Sequence, residues 1–159
     1  RTARARSVME VEGTWEDLAF KGRPVPDPDA LSAEFWSAAA TGELRYQECP
    51  ECGHRQHYPR LLCTACGSTP RWQASSGRGT VHTFSVVRKN LAPPFDTLAP
   101  YVVAVIELEE GPRMMGNVTH CAPEQVFIGM PVVAYAVLAR DDIGVPFWKP
   151  TDAGQQSDR

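Results

Sequence analysis

Positive charge is not in excess in this chain: 16 Lys and Arg face 19 Asp and Glu, a net charge of -3. A protein built to coat nucleic acid neutralises many phosphates and needs the opposite balance, so no nucleic-acid partner is expected. Long hydrophobic runs are missing as well. Runs such as "YVVAVI" at 101–106 fall far short of the ~20 apolar residues of a membrane-spanning helix, and no signal-peptide pattern precedes them. The expectation is a soluble, cytoplasmic protein with no membrane partner. Catalytic constellations are equally scarce. There is no Ser-His-Asp set, no glycine loop to cradle a phosphate and no convincing acid/base pair. Cys121 follows His120, but neighbouring residues of a strand point to opposite faces, so the thiol reads as idle. Glu107, Glu109 and Glu110 close a strand at a turn and read as solvated. No turnover is expected of the isolated chain.

Cysteine is scarce outside one stretch. Of the 5 cysteines, all but Cys121 lie in "CPECGHRQHYPRLLCTACGS" at 49–68, as two CxxCG knuckles. A disulfide framework, a rubredoxin-like iron centre and a structural zinc site all use cysteine. A reducing compartment disfavours the first, and spacing alone separates iron from zinc poorly. Four thiolates from Cys49, Cys52, Cys63 and Cys66 fill the tetrahedral shell of a zinc ion and leave no open position for a substrate. Gly53 and Gly67 suit the positive φ that turns backbone N–H groups toward sulfur. Residues 43–70 are too short and polar to hold a core, so metal binding is expected to supply their folding free energy. His54 and His57, between the knuckles, are superfluous as ligands and read as surface residues.

The rest of the chain divides by pattern. "KGRPVPDPDA" has three prolines in ten residues and reads as a linker ending near Asp29. Leu31, Phe35, Trp36 and Ala39 fall at helical spacing before Gly42, which predicts a helix over 31–41. From Trp72 onward short strands alternate with turn residues, Thr80, His82 and Phe84 on one face and Val81, Thr83 and Ser85 on the other. "APEQVFIG" suits a helical turn. The fold class expected is mainly β: an N-terminal helix and zinc ribbon, then a small OB-type antiparallel barrel. The boundaries are 1–29 as arm or linker, 30–72 as helix plus ribbon, 73–150 as barrel and 151–159 as tail. Residue 1 is Arg, and "RTARARS" runs into an acidic stretch, as expected of a piece of a longer polypeptide or of a trimmed tag.

Charge is unevenly spread. Residues 45–90 hold seven Lys and Arg against two acids, a basic middle in an acidic chain. Arg60, Arg78, Arg88 and Lys89 are its candidate contacts to an anionic ligand or an acidic partner.

"EFWSAAATGELRYQECPECGHRQHYPR", "CTACGS", "SGRGTVHTFSVVRK", "PYVVAVIELEEGPRMMGNV" and "IGMPV" occur in that order over about residues 33–150. This set resembles the acyl-CoA-associated family that joins a rubredoxin-type zinc ribbon to an OB fold, long catalogued as a domain of unknown function. The family includes the C-terminal domain of a steroid side-chain enoyl-CoA hydratase that partners a thiolase-like aldolase. The resemblance implies a structural zinc ion and a non-catalytic subunit that binds and supports a thiolase-superfamily aldolase in retro-aldol cleavage of an acyl-CoA thioester. With such partners, the four basic residues of the middle are the candidate contacts to a CoA phosphate or to an acidic partner surface. The helix with Phe35 and Trp36, and the segment "PFWKP", are the expected apolar interface. Two other readings stay open: a bridging or CoA-binding subunit of another thiolase complex, and a single-stranded nucleic-acid-binding OB protein.

Overall fold

The computed structural model of the chain describes residues 9–152. Helix α1 (Ala33–Ala40) is rich in alanine, the best helix former. The Asp29 carboxylate organises the turn ahead of it, accepting from the Ser32 N–H at 2.8 Å and the Ser32 hydroxyl at 2.7 Å. At the far end Gly42 takes φ 83°, and the Gly42 and Glu43 N–H groups return to the Ala39 and Ala38 carbonyls, a Schellman stop that only a left-handed residue permits. The helix is thus shorter than the expected 31–41, and Leu31 lies ahead of it, largely exposed.

Three short strands follow, β2 (Arg45–Glu48), β3 (Arg55–Gln56) and β4 (Arg71–Ala74), arranged β3-β2-β4 and antiparallel throughout. The barrel is built from β5 (Arg78–Val87), β6 (Tyr101–Leu108), β7 (Arg113–Val118), β8 (Pro131–Arg140) and β9 (Ile143–Pro150). Sheet order runs β5-β6-β7-β9, and β9 returns through β8 to β5, so these five strands close on themselves. Closure removes unpaired edges. Strand β6 alternates as a half-buried strand should, with Val102, Ala104, Ile106 and Leu108 inward. Trp148 and Val132 are 0% exposed at the centre. The segment 123–125 forms the single helical turn that "APEQVFIG" suggested.

The expected alternation of β5 holds only to Val81. Pairing with β6 shifts register between Val81 and Thr83, and this bulge moves Phe84 and Val86 onto the inward face, where they pack on the core. An inserted residue exchanges the two faces of everything beyond it.

The N-terminal segment is more than a linker. Strand β1 (Glu10–Thr14) pairs in parallel with β8, Glu10 opposite Tyr135, beyond the stretch of β8 that pairs with β5. Trp15 and Phe20 then pack on a small cluster of Tyr135, Val137 and Phe147. The fragments expected at an interface also belong to the core: Phe35, Phe147 and Trp148 are buried, and Trp36 is half-buried. Their aromatic area is already committed within the chain.

Helix α1 lies against β9. A Cβ placed on Gly144 would sit 2.3 Å from the Ala40 nitrogen and 2.4 Å from the Ala39 carbonyl carbon, so glycine and alanine face each other where the helix meets the barrel. No helix among the described residues is long and apolar enough to cross a membrane.

Candidate metal centre

Each knuckle is a tight loop closed by its own backbone. In the first, the Cys49 N–H donates to the His54 carbonyl at 2.8 Å and the Gly53 N–H to the Cys49 carbonyl at 2.9 Å. In the second, the Cys63 N–H donates to the Ser68 carbonyl at 2.7 Å and the Gly67 N–H to the Cys63 carbonyl at 2.9 Å. Gly53 and Gly67 have φ 73° and 79°, and nothing stands near where a Cβ would project. Glycine is there for its backbone freedom rather than for space.

The two loops bring the four sulfurs together, all within 4.8 Å of one another. Cys49 and Cys66 are 3.5 Å apart and Cys52 and Cys63 3.7 Å. A tetrahedron with zinc–sulfur bonds of about 2.3 Å has edges of about 3.8 Å, so the arrangement fits a four-thiolate zinc ion. Cys49 and Cys63 are buried and Cys52 and Cys66 exposed. Their thiols differ sharply in acidity. The Ser68 hydroxyl and backbone draw Cys66 down to about 6. Although the His54 backbone acts to lower it, Cys52 is pushed up to about 12 by its neighbouring thiols, Cys66 foremost, and by desolvation. Metal binding requires all four as thiolates and therefore releases protons.

The span between the knuckles is held by two buried glutamines. Gln47 on β2 accepts from the Arg60 N–H at 2.8 Å and donates to the Arg60 carbonyl at 3.0 Å. Gln56 on β3 donates to Gln47 at 2.9 Å and accepts from the Thr64 N–H at 2.9 Å. These contacts set where the second knuckle stands relative to the first. Sequence reading missed them, although a glutamine on each of two short strands flanking the first knuckle is visible in "YQECPECGHRQ". The acids at the β6–β7 turn also have a role beyond solvation. Glu110 accepts from the Ser75 hydroxyl at 3.0 Å and the Ser76 N–H at 2.5 Å, and its carbonyl accepts from Arg55 at 3.1 Å. They bind the ribbon to the barrel, while Glu107 pairs with Arg113.

The model of the "ChsH2, rubredoxin-like zinc ribbon domain" matches residues 36–71, and that of the "ChsH2, C-terminal OB-fold domain" matches residues 72–137. The chain belongs to the ChsH2 zinc-ribbon and OB-fold family. Its four-cysteine site is the structural zinc site of that ribbon. The chain is 36% identical over 157 residues to the 3-oxo-4,17-pregnadiene-20-carboxyl-CoA hydratase alpha subunit of Mycobacterium tuberculosis, covering 89% of this chain and 49% of that one. It is 41% identical over 97 residues to a DUF35 domain-containing scaffold protein of Methanocaldococcus jannaschii, covering 59% of this chain and 67% of that one. Among solved structures, a chain of the Ltp2-ChsH2(DUF35) aldolase superposes with TM-score 0.70 at 33% identity, covering 79% of this chain and 98% of that one. The chain spans about half the length of the hydratase subunits it matches.

The basic candidates do not line one cleft. Arg60 lines a depression of about 440 Å³ between ribbon and barrel, beside His54, Arg55 and Arg113. Arg78 lines a different one, with Glu107 and Glu109. Arg88 reaches Glu124 at 3.8 Å, and Lys89 follows it beyond the end of β5. Cys121 is half-buried, and desolvation raises its thiol. The His120 ring engages Thr119 at 2.9 Å and Glu12 at 3.2 Å. His57, expected at the surface, is largely buried. Its ring lies 5.2 Å from Phe35, its Nδ1 has no hydrogen-bond partner among the described residues, and burial pushes it down to about 4.

Proposed function

We propose that the chain is a non-catalytic, zinc-stapled subunit that binds and supports a thiolase-superfamily aldolase acting on a steroid side-chain acyl-CoA thioester. The observation that carries this reading is the likeness to a chain of the Ltp2-ChsH2(DUF35) aldolase, which extends over nearly the whole of that chain. The closed metal shell supports it too, because four thiolates leave zinc no position for a substrate. In the reaction so implied, a base on the aldolase takes the hydroxyl proton and the carbon–carbon bond breaks. A carbonyl product is released and the thioester leaves as an enolate, which is then protonated.

With Phe35, Phe147 and Trp148 packed in the core, the apolar surface proposed for the aldolase is a group of exposed side chains on the ribbon. Tyr58, Leu61 and Leu62 are exposed between the knuckles, and residues of this kind anchor interfaces when buried by a partner. Arg60 stands beside them, with His54 and Arg55 close by, for an acidic partner surface or a CoA phosphate.

Co-expression with the candidate aldolase should give a complex on size exclusion, and retro-aldol activity should depend on this chain. Leu61→Asp combined with Leu62→Asp should weaken the complex at least tenfold while zinc content stays at one per chain. An aldolase that is soluble, monodisperse and fully active alone would sink the proposal.

A further inference from the structure

A concavity of about 450 Å³ lies where the N-terminal arm, helix α1, the ribbon and the barrel meet, walled chiefly by Trp15, Phe35, Trp36, Met114, Met115 and Phe147. Its size is that of a small-molecule site, and its walls are the aromatic and methionine surface such sites use. Among the described residues no Asp, Glu or Lys lines it, and the one permanent cation that does is Arg23. With His57 held down to about 4 by burial, that imidazole is neutral at physiological pH.

Arg23 is held in position but not neutralised. Its guanidinium carbon lies 5.3, 5.6 and 5.7 Å from the ring centroids of Phe147, Phe95 and Phe20. Nη1 donates to Asn117 Oδ1 at 3.2 Å, and the Asn117 amide is fixed by its own donation to the Val102 carbonyl at 2.8 Å. Nε is buried with no hydrogen-bond partner, and no carboxylate pairs with the guanidinium among the described residues. The backbone is pinned as well, since the Trp15 indole donates to the Arg23 carbonyl at 2.9 Å. Desolvation lowers the Arg23 pKa, yet a guanidinium stays charged throughout the physiological range. A half-buried cation supported only by rings and one neutral amide is short of an anion, and an N–H fork suits a carboxylate.

We propose that this cleft binds an apolar molecule ending in a carboxylate, its body against the aromatic and methionine walls and its carboxylate on Arg23. The chemistry is shared by flexible aliphatic acids and by rigid fused-ring acids, so decanoate and 2-naphthoate serve as separate probes. This site borders the surface proposed for the aldolase at Tyr58, but the two readings are tested separately. A complex without carboxylate binding would remove only the cleft proposal, and carboxylate binding without a complex only the other.

The test is titration of the zinc-loaded full chain with each probe, followed by tryptophan fluorescence and by the amide and side-chain N–H resonances. At least one carboxylate should saturate and shift the Arg23 Nε–H signal, and it should bind at least tenfold more tightly than the matching alcohol, decanol or 2-naphthalenemethanol, since a charge-assisted hydrogen bond is worth about that much. Arg23→Met should abolish the preference while leaving alcohol binding within about twofold, and Arg23→Lys should restore part of it. Met115→Trp, on the exposed rim, should block both kinds of probe without touching the core. Equal affinity for acid and alcohol, or carboxylate binding unchanged in Arg23→Met, overturns the proposal. So does the finding that neither carboxylate binds while Arg23→Met weakens an aldolase complex, which would make the cleft a protein interface.

Discussion

The side chains buried in the ribbon include Tyr46, Gln47, Cys49, Gln56 and Cys63, while those in the barrel include Val81, Ala104, Ile106, Met114, Val132 and Trp148. In the ribbon each of these side chains carries a sulfur, nitrogen or oxygen that must be matched by a ligand or a hydrogen bond, so order arrives all at once when the matches are complete. The barrel buries hydrocarbon, whose contribution is proportional to area and degrades by increments. One chain thus contains two sheets with different responses to injury.

The largest effect should come from the metal. Cys52→Ser, or chelation of zinc, should abolish amide protection across β2, β3 and β4, because the free energy of a structural zinc ion, about 10–16 kcal/mol in zinc-finger peptides, far exceeds what so polar a segment gains otherwise. The strands of the barrel should keep their protection. Hydrogen exchange followed residue by residue checks this, and simultaneous loss in both sheets would show that they fold as one unit.

The complementary injury is Trp148→Ala. Trp148 is 0% exposed, and its loss should destabilise the barrel by about 3–5 kcal/mol, with zinc still bound at one per chain. A variant that also released its zinc would show that the ribbon leans on the barrel more than its own bonding suggests.

His57 tests the seam. Its ring belongs to the ribbon but packs on Phe35 of α1, and burial lowers its pKa from 6.5 to about 4. Between those values the unfolded chain takes up a proton on this ring that the folded chain refuses. Stability should therefore fall as pH drops from 6.5 to 4 and level off below, by at most about 3 kcal/mol from this group. His57→Phe should flatten that part of the profile. Urea midpoints at pH 7 and pH 5 in saturating zinc provide the measurement, and parallel profiles for the two proteins would contradict the burial.

The smallest effect is expected from Gln47→Ala. It leaves the Arg60 N–H and carbonyl without their partner, at a cost of about 1–3 kcal/mol, and zinc affinity should weaken accordingly in a competition titration. Glu110→Gln, which touches the ribbon–barrel junction but not the span between knuckles, is the control that should leave zinc affinity nearly unchanged.

Legibility followed the same division. The zinc site could be read from the sequence because four thiols, two spacers and two glycines form a local pattern whose chemistry is complete in twenty residues. The barrel class could be read because β6 alternates cleanly. The bulge of β5 could not, since nothing in "TVHTFS" marks which residue is inserted, and simple alternation therefore puts Phe84 on the wrong face. The arm was hidden for another reason. "EVEGT" alternates too briefly to announce a strand, and its partner on β8 lies at the other end of the chain. Arg23 sits in a proline-rich stretch that looks structureless because its order is supplied by side chains of the barrel. His57 looked like a surface residue because histidine is polar, and only the position of Phe35 shows otherwise.

The pairing of β1 with β8 sets a timetable. Lys149 of β9 binds Glu10 across 139 residues of sequence, so this contact closes a loop almost as long as the described chain, and such closures are slow relative to local ones. The knuckles and the β6–β7 hairpin need only near neighbours, whereas the arm has no place to dock until β8 and β9 exist. Of the described residues, the first to leave a ribosome are thus the last to settle, and Arg23 travels with them. The aromatic cage around that arginine is assembled only when the two ends of the fold have met, which makes the guanidinium a reporter of completed folding.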